Sequence, residues 1–134
     1  MDRFSPWTLP TITSVDIVDL RSIDANRVSQ YMQSAVGAPS VTLCGDAAQR
    51  IAELWRALPP GHQSRCHTPP YGVRFRSGER VVCEASICWD CDNIFGQSAG
   101  REIHYEFAAA LPTSKALLAE LHRAAGDPEF GRVG

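Results

Sequence analysis

The clearest pattern in the chain is YGVRFRSGERVVCEASICWDC, which spans residues 71–91. Tyr71, Val73 and Phe75 alternate with glycine and arginine, and a second alternating run follows the polar residues 77–79. Two such runs around a short polar turn are typical of a β-hairpin. The sequence therefore predicts two antiparallel strands with their apolar side chains on one face. The opposite face would carry four charged residues: Arg74, Arg76, Arg80 and Glu84.

The hairpin register follows from the requirement that both apolar sets lie on the same face. Side chains alternate between the faces of a strand, so a slip of one residue would turn one apolar set towards solvent. A three-residue loop satisfies this requirement, whereas a two-residue loop would split the two sets. We therefore expect Val73 to face Cys83 and Phe75 to face Val81.

The flanking sequence predicts the remaining elements. Strand patterns, which alternate or are rich in β-branched residues, occur at residues 11–20, 40–44 and 102–107. Apolar residues at helical spacing, followed by glycine or proline, predict helices at residues 24–37, 46–58 and 114–125. Segments rich in proline, glycine and polar residues predict a loop at residues 59–70 and a turn region with at most a very short strand at residues 92–100. The expected fold is α+β: an antiparallel sheet of four or five strands around the central hairpin, with helices packed on one face.

Length and composition indicate one globular domain. The chain has 134 residues, of which 44% are hydrophobic and 21% charged, and its formal net charge is -2. A chain of this size forms one core, so we expect residues 1–134 to be a single domain in which residues 1–10 and 127–134 are loosely ordered. Because the chain lacks net positive charge, we expect no nucleic acid among its partners.

The cellular location is predicted from what the sequence lacks. Its first residues do not contain the apolar stretch of a secretion signal, and no run approaches the roughly 20 apolar residues of a membrane span. We therefore expect a cytoplasmic protein that does not bind membranes. In a reducing compartment, the five cysteines are more often metal ligands, redox groups or core residues than a disulfide framework.

Three of the cysteines belong to segments that the hairpin would bring together. Cys88 and Cys91 form a C-x-x-C after the second strand, and the expected register places Cys66 and His67 beside them. Tetrahedral zinc takes four thiolate or imidazole ligands, two of which are commonly separated by a short turn. The sequence therefore predicts a zinc site with these four ligands, in which His62 could replace the other histidine.

The same cluster allows other interpretations. A reversible disulfide could join Cys88 to Cys91, or Cys66 to either of them, and thiols could also simply pack in the core. A thioredoxin-type enzyme is disfavoured, because no helix starts at the C-x-x-C and because Asp90 and Asp92 would raise a thiol pKa. The histidine next to Cys66 could form a nucleophile–base pair with it, although no orienting motif accompanies the two.

Other residues with functional side chains are interpreted as structural. Cys44 and Cys83 occupy apolar strand positions, and we expect both in the core. Trp89 would either close one end of the core or stand exposed as a binding anchor. Two charged strand faces are interpreted as solvent-exposed surfaces rather than as a phosphate or metal site: Arg74, Arg76 and Arg80 on the hairpin, and Glu102, His104 and Glu106 on the last strand.

Two segments resemble a pattern found in small uncharacterised bacterial proteins. The segments are CHTPPYGVRF at residues 66–75 and ASICWDCDNI at residues 85–94. In those proteins a C-H-x-P-x-Y-G strand start and an S-I-C-W-x-C-x-N strand end follow one helix. The resemblance implies no activity, but it implies that the two cysteine segments form one unit.

The sequence favours binding over catalysis. It contains no phosphate loop, dinucleotide fingerprint or nucleophile elbow. A stable scaffold without an assembled catalytic motif favours a small non-enzymatic binding module of the immunity or adaptor type, whose partner is another protein. In that protein, Cys66, His67, Cys88 and Cys91 would hold a structural zinc. The alternatives are a thiol redox-responsive protein that uses a Cys88–Cys91 disulfide, and a small enzyme that uses a Cys/His pair.

Overall fold

A computed structural model describes residues 4–21, 37–62 and 69–126 of the chain. This part of the chain forms one antiparallel sheet and two α-helices. The strands are β1 (Ser14–Asp19), β2 (Ser40–Cys44), β3 (Tyr71–Ser77), β4 (Arg80–Cys88), β5 (Asn93–Ser98) and β6 (Arg101–Glu106). The helices are α1 (Gly45–Arg56) and α2 (Pro112–Ala125), and a 3₁₀-helix covers Pro6–Thr8. The α+β class is therefore confirmed.

The described sheet has six strands, in the order β2-β1-β3-β4-β5-β6, rather than the four or five that the sequence predicts. The unexpected strand is β5, at residues predicted to be a turn. It forms a hairpin with β6 through Ala99 and Gly100, which both have positive φ angles, as a tight two-residue turn requires. Gly96 in β5 faces Ala85, and a Cβ atom at Gly96 would lie only 2.0 Å from the Glu84 carbonyl oxygen. Glycine is therefore needed where the two strands meet.

Both helices pack on the same face of the sheet, because α1 and α2 contact each other as well as β1. Trp55 of α1 lies against Phe75 of β3, with ring centroids 5.2 Å apart. Leu117 and Leu121 of α2 are fully buried. Each such side chain contributes about 1.5–3 kcal/mol through burial. No helix in the described part of the chain is long and apolar enough to cross a membrane, and the helix predicted from residue 24 lies outside the described residues.

The β3–β4 register differs from the predicted one by two residues. Phe75 faces Cys83, and Val73 faces Ala85, whereas the sequence predicts that Val73 faces Cys83. The apolar sets still share one face, because a shift of two residues preserves the side-chain alternation. The prediction of the faces is therefore correct for these residues, but the predicted pairing is wrong.

A β-bulge explains the difference in register. The hairpin loop contains only two residues, since Ser77 faces Arg80, and the register shifts between Phe75 and Arg76. The shift places one extra β4 residue opposite β3, which keeps both apolar sets on the core face despite the two-residue loop. The bulge also turns Val81 outward, where it is 39% exposed. The prediction that Val81 faces Phe75 is thus wrong.

Residues 4–10, called the N-terminal segment below, pack against the core. The sequence predicts loose order for residues 1–10, of which residues 1–3 lie outside the described part of the chain. The Phe4 ring lies 6.3 Å from Trp55 and 6.4 Å from Tyr105 between centroids. Leu9 is buried, and Arg56 donates a hydrogen bond to its carbonyl oxygen at 3.0 Å. This segment therefore forms a wall beside β6.

Replacing Cys83 by aspartate should destabilise the protein far more than replacing Glu84 by alanine. Cys83 is buried, and burial raises the pKa of its thiol to about 12, so a carboxylate there would be a buried charge without a partner. We expect a loss of at least about 3 kcal/mol for Cys83→Asp. Glu84→Ala removes only a partly exposed ion pair with Arg74 and should cost less than about 1 kcal/mol. Equal melting temperatures of the two variants would contradict the assigned faces.

Candidate functional site

The C-x-x-C lies at the turn between β4 and β5. Cys88 is the last residue of β4, and Cys91 lies two residues before the start of β5. Both side chains are buried, with exposures of 0% and 1%. The backbone N–H of Cys91 donates a hydrogen bond to Cys88 Sγ at 3.2 Å. Asp92 has a φ angle of 55°, which turns the chain into β5. The local fold therefore places the two cysteines side by side.

The two cysteines differ in chemical state. Cys91 is disulfide-bonded, whereas Cys88 is a buried thiol. The two are therefore not bonded to each other, and the Cys88–Cys91 pairing considered from the sequence is not the one in the structure. The other two predicted zinc ligands, Cys66 and His67, lie outside the described residues. Within residues 4–21, 37–62 and 69–126, no group of three or more His, Cys, Asp or Glu side chains could hold a metal ion.

The disulfide limits the conditions under which zinc could bind. Zinc binds thiolates, and a sulfur in a disulfide is not a thiolate. The donor set of Cys66, His67, Cys88 and Cys91 therefore fits zinc only in a protein whose Cys91 disulfide has been reduced. The zinc site stays a prediction for that reduced protein.

Trp89, between the two cysteines, closes this end of the core. Its indole N–H donates a hydrogen bond to the Ser114 carbonyl oxygen at 2.8 Å, and its ring meets Phe107 edge-on at 6.0 Å. Ser114 is buried, and its hydroxyl donates to the Ala108 carbonyl oxygen at 2.7 Å. Of the two roles considered for Trp89, the structure supports the core plug, which ties the β4–β5 turn to the first turn of α2.

The remaining two cysteines differ in exposure. Cys83 is buried, as predicted, but Cys44 is exposed. Cys44 ends β2, which is an edge strand with largely exposed side chains. Cys44 lies two residues after Thr42, whose hydroxyl bonds to Asp16 on the outer face of the sheet, so its side chain lies on that face too. The prediction that Cys44 belongs to the core is therefore wrong.

A polar group that the sequence analysis did not identify lies at the end of the sheet where β4 ends. The hydroxyl of Tyr71, a buried residue at the start of β3, is 2.6 Å from His122 Nδ1 in α2. The Arg21 guanidinium lies 5.2 Å from the centre of the Tyr71 ring and pairs with Asp19 at 2.8 Å. Hydrogen bonds from Arg21 lower the pKa of Asp19 despite its burial. The group links β1, β3 and α2 next to the cysteines, and no periodic pattern in the sequence marks it.

The arginines on the outer face of the sheet are paired with acids. Arg76 donates two hydrogen bonds to Asp16, at 3.0 and 2.9 Å, and Arg74 lies 3.4 Å from the same carboxylate. Arg74 also donates to Glu84 at 3.1 Å, and Thr42 donates to Asp16 at 2.8 Å. The charges of the two arginines are thus compensated, which favours the interpretation of this strip as a structural surface rather than a phosphate site.

A cleft of about 1150 Å³ lies between β6 and the N-terminal segment. Aromatic and apolar side chains line much of it: Phe4, Trp7, Leu58, Pro60, Ile103 and Tyr105. The Tyr105 hydroxyl donates a hydrogen bond to the Leu58 carbonyl oxygen at 3.1 Å, which fixes the side chain on the cleft wall. Charged residues of β6 also line it: Arg101, Glu102 and Glu106. Ligand-binding clefts commonly combine apolar side chains with a few polar groups.

β6 is an edge strand of the sheet in the described part of the chain. Its far side is bridged near its end, where the Gly61 N–H donates to the Glu106 carbonyl oxygen at 2.9 Å and Pro60 pairs with Phe107. A Cβ atom at Gly61 would lie 2.3 Å from the Phe107 carbonyl group, so only glycine fits there. Of the described strands, none lies beside the rest of β6 on this side.

No pattern in the sequence predicted the cleft or the edge position of β6. Their only sequence signal was the group of large side chains near the N-terminus, Phe4 and Trp7, in a segment expected to be loose. Comparison with known proteins adds no relative: no family model, no curated protein and no solved structure matches the chain.

Acidification should destabilise the protein through Asp16. Burial raises the pKa of Asp16, but hydrogen bonds from Thr42 and Arg76 and the charges of Arg76 and Arg74 together hold it below its ordinary value. Such a carboxylate contributes its full share to the free energy of unfolding above the pKa that it has in the unfolded chain. This contribution is lost as the pH falls through the lower pKa that it has in the folded protein. Urea unfolding should therefore show stability decreasing below about pH 4.

The Asp16→Asn variant isolates this contribution. It should be less stable than the wild type at pH 7, but it should lose less stability between pH 5 and pH 3. Glu79→Gln, which changes an exposed acid in the β3–β4 turn, should follow the wild-type curve. A wild-type pH dependence in Asp16→Asn would show that this carboxylate does not contribute as described.

Proposed function

We propose that this protein is a small non-enzymatic binding module of the immunity or adaptor type, and that its cleft beside β6 binds a segment of another protein. The observation that carries this proposal is Trp7, a large aromatic side chain that is 70% exposed at the wall of the cleft. Tryptophan is among the residues that contribute most to protein interfaces, because it combines a large apolar area with few rotatable bonds. Burying Trp7 under a partner would remove that area from water.

Hydrogen bonds and packing hold the backbone around Trp7 in place. Trp7 is the central residue of the 3₁₀-helix, and the preceding Pro6 is buried. The Ser5 carbonyl oxygen accepts hydrogen bonds from the backbone N–H and the hydroxyl of Thr8, at 3.0 and 2.7 Å. A side chain on an ordered backbone loses less entropy on binding than one on a mobile loop. Trp7 is thus suited to act as an anchor for a partner.

The side chains that line the cleft indicate which properties the partner segment has. Its apolar part, next to Phe4 and Ile103, suits an apolar anchor side chain of the partner. Arg101 and Glu106 provide charges of both signs along β6, which suits a segment that also carries both signs. We therefore propose a protein segment of mixed charge with at least one large apolar residue as the ligand.

Truncation of Trp7 tests the binding function. For an immunity or adaptor module, the candidate partner is the product of a neighbouring gene, and calorimetry with that product measures the affinity. Trp7→Ala should weaken binding by at least about tenfold, because truncating an interface tryptophan typically costs 2 kcal/mol or more. Leu111→Ala is the matched control, since Leu111 is a large apolar residue that is 47% exposed and does not line the cleft. Equal affinities of wild type and Trp7→Ala would refute binding at this cleft.

One observation favours a second candidate function, that of a thiol redox-responsive protein. The disulfide-bonded Cys91 lies beside the Cys88 thiol in the core, and Trp89 connects their turn to α2. Reduction of the disulfide would remove a covalent link from this buried turn and would create a thiol next to Cys88. Because zinc needs thiolates, the reduced protein is also the one in which the predicted zinc site could form.

Counting thiols tests the redox candidate. When unfolded in denaturant, the oxidised protein should react with a thiol reagent at two fewer cysteines than the reduced protein, because one disulfide removes two thiols. Cys91→Ser should abolish the difference, whereas Cys44→Ser, at an exposed thiol, should preserve it. Identical counts before and after reduction would exclude this candidate. Elemental analysis of the reduced protein, purified without a His-tag, tests the zinc.

A further inference from the structure

We infer that the open part of β6 pairs with β6 of a second copy of this chain, so that two copies form a two-fold symmetric dimer with one continuous antiparallel sheet. This inference goes beyond the proposed function, because it assigns a second copy of the chain to the β6 edge, whose residues Glu102 and His104 also line the cleft. It depends on three features of β6: which backbone groups point away from β5, which of them are already bonded, and which charges lie beside them.

The β5–β6 hairpin determines the direction of the backbone groups. Ser98 and Arg101 flank the two-residue turn, and residues that flank such a turn form a hydrogen-bonded pair. Hydrogen-bonded and non-hydrogen-bonded pairs alternate along antiparallel strands. The odd-numbered residues of β6 therefore bond to β5, and the even-numbered ones point their N–H and C=O groups outwards: Glu102, His104 and Glu106.

Hydrogen bonds at the end of β6 agree with this assignment. The Glu106 carbonyl oxygen accepts from Gly61, and the Ala108 N–H donates to Pro59, both on the side away from β5. Phe107 is an odd-numbered residue, and its N–H donates to the Asp92 carbonyl oxygen on the β5 side, as the odd-numbered residues of β6 do. Residues 59–61 thus occupy the edge from Glu106 onwards. Within residues 4–21, 37–62 and 69–126, no strand pairs with the outward groups of Glu102 and His104, which an added strand can therefore use.

Two constraints select one register for a pair of β6 strands: the charges of the facing side chains, and the part of the edge that residues 59–61 already cover. An outward-pointing residue must face another outward-pointing residue in an antiparallel ladder. Placing Glu102 opposite Glu102 brings like charges together, and placing His104 opposite His104 also places Glu102 opposite Glu106. Placing His104 opposite Glu106 requires the edge that residues 59–61 occupy. The remaining register places Glu102 opposite His104 of the second copy, twice by symmetry.

The outer face is already arranged for these pairs. The His104 ring stacks on Phe95, with centroids 4.6 Å apart and an interplanar angle of 13°, and its Nε2 lies 3.9 Å from a Glu106 oxygen. The stacking holds the imidazole on the outer face beside the strand edge. An imidazole N–H can donate to a carboxylate whether the ring is neutral or protonated, so the pair with Glu102 forms in either state.

The core face is compatible with the same register. The two-fold axis passes beside Ile103, so that the Ile103 side chains of the two copies meet. Arg101 then faces Tyr105 of the second copy, an arrangement in which a guanidinium can lie over an aromatic ring. Because the axis is perpendicular to the sheet, the helices of both copies lie on one side, and the two clefts face each other. The exposed Trp7 then borders a surface built from both copies.

Charge reversal tests the register. Sedimentation equilibrium of the full chain should show a dimer, and Glu102→Lys and His104→Glu should each weaken it by at least about tenfold, because each change affects two symmetric pairs. The double variant Glu102→Lys with His104→Glu restores opposite charges and should dimerise with a Kd within about threefold of the wild-type value. Glu79→Lys reverses an exposed charge in the β3–β4 turn and should leave the dimer unchanged.

A backbone variant tests the hydrogen bonds of the added strand, and Glu102→Gln, which removes the same charge but keeps the N–H, is its matched control. Glu102→Pro removes an outward N–H but no hydrogen bond to β5, and proline is tolerated at such edge positions. This variant should be a monomer with the circular dichroism spectrum of the wild type. A wild-type chain that stays monomeric at about 1 mM, corresponding to a dimer too weak to be specific, would overturn the inference. A double charge variant that dimerises no better than the single variants would also overturn it.

Discussion

The antiparallel pairing of β3 with β4 is the interaction on which the rest of the structure depends. β1 adds to one side of this pair and β5 to the other, so every other strand is placed relative to it. The bulge after Phe75 lets a tight two-residue loop coexist with a single apolar face. Trp55 of α1 packs against that face. Because the bulge keeps the apolar side chains of both strands on one face, the helices pack on a continuous apolar surface.

The same pairing determines the chemistry at one end of the sheet. β4 ends at Cys88, and the turn that follows buries Cys91 and places Trp89 against α2. The hydrogen bond between Tyr71 and His122 joins the start of β3 to the same helix. This end of the domain is therefore tied together by a disulfide, polar contacts and an aromatic plug. Its disulfide and a zinc site are mutually exclusive, since both would use the sulfur of Cys91.

β6 forms one edge of the described sheet. Edge strands expose backbone groups that can pair with other chains, and charged side chains commonly restrict such pairing. In β6 the charges of Glu102 and His104 disfavour most registers but permit one, and residues 59–61 cover the end of the strand. The cleft and Trp7 lie along the same edge. The proposed binding surfaces thus lie at the β6 edge, and the proposed redox site lies at the cysteine end.

The sequence by itself determined the elements whose patterns are local. Strand alternation predicted β1, β2, β3, β4 and β6, and helical spacing predicted α1 and α2, because periods of 2 and 3.6 residues are properties of the segment itself. Only the tertiary structure decided what depends on distant neighbours. The bulge shifted the pairing of Phe75 from Val81 to Cys83, and β5 became a strand because Gly96 fits against Ala85. The pairing of β2 with β1 placed Cys44 on the outer face of the sheet, where it is exposed. The bonding of Cys91 and the site of Trp89 likewise depend on contacts between residues far apart in the chain, which no local period encodes.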